Sequence, residues 1–138
     1  MTLRSPISFS LLRAGIALPV LVAVFLLQRA PLVAQAAVSF EATAETREIV
    51  EGGTFEVSFS LKNAQGSRFV MPDLKGFKIV GGPSEMRGMS IVNGQSMSHQ
   101  TWTFDLEAPR TGTFTIGAAS VTANGKTLTT KPLTIQVV

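Results

Sequence analysis

From Thr54 to Lys62 the chain reads TFEVSFSLK, with Phe55, Val57, Phe59 and Leu61 alternating with Glu56, Ser58 and Ser60. A period of two gives an extended strand one apolar and one wet face, so this segment demands a sheet with a single buried side. Glu51-Gly52-Gly53 leads into it and Asn63-Ala64-Gln65-Gly66 leads out, both with turn chemistry. Val38 to Glu45 reads as a first strand before it. After it come the short runs SRFVMP and FKIV, punctuated by Pro72, Gly76 and Gly81-Gly82-Pro83. From Val38 onward no stretch at helical period is long enough for a helix, and short strands at regular spacing point to a sandwich or barrel.

Two Asn-Gly pairs set registers, because a type I′ turn needs positive φ at both central residues. Asn93-Gly94 folds EMRGMSIV back onto QSMSHQTWTFDLEA, pairing Ile91 with Ser96 and Met89 with Ser98. Met89 and Ile91 then share a face with Trp102, Phe104 and Leu106 unless a bulge intervenes. Asn124-Gly125 folds ASVTA onto KTLTT and pairs Val121 with Leu128. Downstream the apolar phase changes: Leu128 is even-numbered, whereas Leu133, Ile135 and Val137 are odd. One straight strand cannot bury both sets, which predicts a break and a change of partner at Lys131-Pro132. The terminal run Leu133, Thr134, Ile135, Gln136 and Val137 is the candidate partner-facing edge strand, open to strand addition unless another strand covers it.

The beginning of the chain has a different character. Arg4 and Arg13 precede and flank an apolar run from Ala14 to Leu27, and Ala34 and Ala36 supply the A-x-A pattern of signal peptidase. Residues 1–36 therefore read as a signal peptide, cleaved between Ala36 and Ala37. The apolar run falls short of a membrane span and contains Pro19, which disfavours an uncleaved anchor. No cysteine follows it, so lipid attachment of the lipoprotein kind is excluded. Removal leaves 37–138 as a single domain of 138 − 36 = 102 residues, near the ~100 typical of an immunoglobulin-like sandwich.

Charge follows the same division. Twelve Lys and Arg face nine Asp and Glu, and Arg4, Arg13 and Arg29 lie in the segment to be removed, leaving nine against nine. No basic footprint remains, so no nucleic-acid role is expected. With no cysteine there is neither a disulfide nor a zinc-thiolate site.

Catalytic constellations are equally sparse. His99 is the only histidine; on a strand it lies six residues, roughly 20 Å, from Asp105, too far for the hydrogen bond that a base and its orienting group require. Glu41, Glu45, Glu48 and Glu51 lack the order of a calcium loop, and nothing singles out a catalytic pair among the nine acids. GGPSEMRG has no Lys-Ser/Thr at phosphate-loop spacing. No catalytic, metal or cofactor-binding residue is therefore assigned. Trp102 permits a sugar-stacking reading, although its phase with Phe104 and Leu106 favours the core. Met71, Met86, Met89 and Met97 are candidates for an adaptable binding surface, or for filler positions.

VSFEA at 38–42, FSLKNAQGSRFVMPDLKGFKIVGGPS at 59–84, MSIVNG at 89–94 and GTFTIGAASVTANGKTLTTKPLTIQVV at 112–138 together resemble the amino-terminal domain of the BatD family of oxygen-tolerance proteins. The resemblance spans nearly all of 37–138. It implies an all-β, immunoglobulin-like β-sandwich of about seven to eight antiparallel strands. It also implies a non-enzymatic, exported, periplasmic protein-interaction role in an envelope complex linked to oxygen or stress tolerance. Its expected partners are envelope proteins, with MoxR-type ATPases and von Willebrand factor A-domain membrane proteins among them. Family members are anchored to the inner membrane by a carboxy-terminal helix; this sequence stops at Val138, so membrane tethering is expected only of a longer form. The alternative function is a stand-alone secreted ligand- or carbohydrate-binding module using Trp102.

Overall fold

The computed structural model describes residues 37–138; residues 1–36, the expected signal peptide, and with them Ala36 of the expected cleavage, lie outside these. Among the described residues there are ten strands: β1 (Ser39–Ala44), β2 (Glu48–Ile49), β3 (Thr54–Lys62), β4 (Gly66–Val70), β5 (Lys78–Val92), β6 (Gln95–Glu107), β7 (Gly112–Ile116), β8 (Ser120–Ala123), β9 (Lys126–Thr129) and β10 (Leu133–Val137). Among the described residues no helix is long and apolar enough to cross a membrane.

One sheet has the order β1-β3-β6-β5. The others, β2-β10-β7 and β4-β8-β9, are linked through one interrupted hairpin, because β7 leads into β8 and β9 into β10. The interruption falls at 130–132, where the phase change predicts it. Thr130 N–H reaches Ala119 O at 3.0 Å, and Ala119 N–H in turn donates to the Thr130 hydroxyl at 3.0 Å, which satisfies the backbone across the break. β9 pairs with β8, whereas β10 pairs with β7 and β2, so the strand does change partner.

All three sheets contribute to one core. Phe55, Val57, Phe59 and Leu61 of β3 meet Trp102, Phe104 and Leu106 of β6 with Ile116, Val121, Leu133 and Ile135 from the opposite side. The alternation read in TFEVSFSLK is the burial pattern observed. This all-β, largely antiparallel arrangement is consistent with a β-sandwich.

Three features depart from expectation. FKIV and EMRGMSIV are parts of one fifteen-residue strand, β5, whose pairing with β6 shifts register between Ile79 and Gly81 and again between Gly81 and Ser84. Because β5 lies at the sheet edge, Pro83 can sit there without removing an interior ladder donor. β4 also bulges, with Arg68 at φ 53° between Ser67 and Val70, and the following Phe69 stacks on Trp102. Finally, the Leu133–Val137 run is not an edge. β7 covers one side antiparallel, and on the other β2 pairs parallel through Gln136–Glu48 and Val137–Ile49. Two further bonds, Gln136 N–H to Arg47 O and Val138 N–H to Ile49 O, close that side, so Leu133, Ile135 and Val137 are core residues rather than a partner surface.

Candidate functional site: the β5–β6 arm

The Asn93-Gly94 turn has φ values of 52° and 76°, and the predicted pairs Ile91–Ser96 and Met89–Ser98 are both formed. From Ser84 to Val92 the register with β6 is unbroken. β3, however, ends at Lys62 opposite His99, so beyond Ser98 the two strands continue as a two-stranded arm with nothing opposite them in the sheet.

Met89 and Ile91 share a face with Trp102, as the register requires, yet they are 72% and 74% exposed, because the opposing layer ends before it reaches them. On the other face Val92 is also exposed, Met97 is half-buried, and Met86 is exposed at the root of the arm. The arm therefore displays apolar side chains on both faces. Between Gly88 and Ser98 it carries no charged residue. Single exposed apolar residues are ordinary, whereas several gathered on a projecting hairpin mark a contact surface.

The root of the arm is tied down by polar groups. Gln100, buried at the base, accepts from Gly66 N–H through Oε1 at 3.0 Å and donates from Nε2 to Glu85 Oε1 at 2.8 Å. Glu85 also receives Arg87 Nε at 2.6 Å. These two donors, Arg87 foremost, hold the Glu85 carboxyl below the ordinary glutamate value. Asn63 N–H bonds Ser98 O at 2.8 Å and fixes β6 where the arm leaves the body.

The remaining candidates are dispersed. His99 is exposed on the face opposite Trp102, beside Gly88, and Asp105 lies farther down β6 against Gly81 and Glu56. Among the described residues no three His, Asp or Glu side chains converge as metal ligands. Trp102 is only 5% exposed, with Phe69 stacked on it at 4.6 Å and 8° and Phe40 edge-on at 6.2 Å. No ring face is left for a sugar, which removes the observation behind the carbohydrate-binding alternative. Of the four methionines, Met71, Met86 and Met89 are exposed; Met89 sits on the arm and Met86 at its root. The sequence signal for the arm was already present in the length of the hairpin relative to TFEVSFSLK, since β6 outruns the strand that it pairs with by four residues at its start.

No curated protein matches the chain. A family description does: the BatD DUF11 like domain matches residues 42–137, well over half of the sequence and nearly all of the described fold, including the arm. By that match the chain belongs to the BatD family.

Proposed function

We propose that this domain is a non-enzymatic protein-interaction module, periplasmic and part of an envelope assembly associated with oxygen or stress tolerance, and that the β5–β6 arm is its docking element. The observation that carries this reading is the projecting hairpin, with Met89, Ile91 and Val92 exposed on it and Met86 exposed at its root. Family membership supports the oxygen-tolerance setting. The partners proposed on the same ground are von Willebrand factor A-domain membrane proteins, alongside MoxR-type ATPases. The strand order supports an immunoglobulin-like sandwich: β1-β3-β6-β5 corresponds to the A-B-E-D sheet, and β4, β7/β8 and β9/β10 to C, F and G, with β2 as an added short strand against G. In vivo cross-linking followed by purification of the tagged chain tests the proposal. Retained envelope proteins that disappear in a Met89→Ser/Ile91→Ser variant support it, and a wild-type chain that retains none contradicts it.

A further inference from the structure

Most free edges in this fold are short or obstructed. β4 is bulged at Arg68, β9 has four residues, and β7 is approached by the 73–77 segment through Gly117 N–H to Asp73 O and Phe77 against Phe114. β1 and β5 are the two edges of the four-stranded sheet; β5, with fifteen residues against six, is the longer, and it is divided. Its lower part is protected by two register shifts and Pro83, devices that keep other strands off an edge. Its upper part, Glu85 to Val92, has neither bulge nor proline.

Alternation fixes which backbone groups are free there. Val92 and Gln95 close the two-residue turn and bond each other, so even-numbered residues of β5 bond β6 and odd-numbered ones point outward. The bond from Asn63 N–H to Ser98 O fits this alternation, since even-numbered residues of β6 then face away from β5. The N–H and C=O groups of Glu85, Arg87, Met89 and Ile91 are therefore unpaired along one straight edge. A lipid surface could take the apolar side chains but not these backbone groups, which have no partners in hydrocarbon. A protein strand satisfies both requirements.

The arm itself has the required chemistry. We infer that two copies of this chain pair antiparallel through their β5 edges about a two-fold axis at Met89, building one continuous eight-stranded sheet. This rests on reading the arm as the docking element and assigns its edge to a second copy. In that register Met89 faces Met89 of the second copy, Met86 faces Val92, Arg87 lays its aliphatic stem beside Ile91, Gly88 faces Ser90, and Glu85 faces the Asn93 amide. Every exposed apolar side chain of the edge gains an apolar neighbour, and no like charges are opposed. The outward-pointing odd residues Arg87, Met89 and Ile91 fall opposite odd residues, as an antiparallel hydrogen-bonded ladder requires. The paired stretch, 85 to 93, ends where the bulge and Pro83 close the edge. Such a contact is isologous and self-limiting, giving a dimer rather than a fibre.

The sequence has no cysteine, so a single introduced one reports the register directly. Opposed residues in a hydrogen-bonded pair lie at about 5.5 Å between Cα atoms, within disulfide range. Sedimentation equilibrium of the exported full chain should give twice the single-chain mass. Met89→Lys, which places like charges opposite each other at an exposed position, should return it to the single-chain mass with an unchanged circular dichroism spectrum. Met89→Cys should oxidise to a covalent dimer, and Met86→Cys alone should not. A single-chain mass at every soluble concentration overturns self-pairing, as does a dimer untouched by Met89→Lys. Envelope proteins cross-linked to a monomeric chain would sink the dimer and leave the interaction reading standing; a dimer that retains no envelope protein would do the reverse.

Discussion

Gln100 Nε2 lies 2.8 Å from Glu85 Oε1, joining a buried side chain of the central strand to an exposed carboxylate on the edge strand. Through its other end Gln100 holds the N–H of Gly66, so one amide couples β4, β5 and β6 at the point where the arm leaves the body. Removing it leaves an N–H without its acceptor in a half-buried position. Gln100→Ala should cost about 1–3 kcal/mol in urea unfolding monitored by Trp102 fluorescence, and should speed amide exchange in the arm more than in β10.

Glu85 gives the same joint a pH dependence. Its carboxyl is depressed first by the Arg87 hydrogen bond and then by that of Gln100. A carboxyl with a depressed folded value contributes fully above its unperturbed value of 4.5, and the contribution is lost as pH falls through the lower folded value. Carbon-13 titration of the Glu85 side chain should show a midpoint below 4.5. Arg87→Ala should raise that midpoint more than Gln100→Ala does.

Gly66 packs where no side chain fits: a Cβ there would meet Val121 Cγ2 at 2.6 Å and Leu61 Cδ2 at 2.7 Å, both buried. Gly66→Ala should destabilise the fold by about 1–3 kcal/mol through overpacking, read as a lower urea midpoint at unchanged m value.

Ile135 and Ile91 offer a contrast within one residue type. Ile135 is fully buried in β10 and Ile91 is exposed on the arm. Ile135→Ala should cost about 2–5 kcal/mol. Ile91→Ala should leave thermal and urea stability within about 0.5 kcal/mol, as surface substitutions usually do.

Much of this could be read from residue order. The two Asn-Gly turns gave correct cross-strand pairs because a two-residue loop leaves no freedom in register, and the odd-even conflict between Leu128 and Leu133 located the break at 130–132. The continuity of β5 was hidden because Gly81-Gly82-Pro83 has turn composition, and only its edge position lets bulges absorb it. The coverage of β10 was hidden because β2 is two residues long, too short for any periodicity. The exposure of Met89 and Ile91 escaped the pattern for another reason. Period two shows which face a residue takes, but not where the opposing layer ends.

The proposed function rests on the arm as the contact surface. A photoreactive amino acid placed at Ile91 in the full chain and irradiated in living cells is the decisive test, with Lys126 on the other Asn-Gly hairpin as the comparison. Protein adducts are expected from Ile91, whether to a second copy or to another protein, and none from Lys126. No adduct from Ile91, or equal labelling from both positions, would contradict the proposed function.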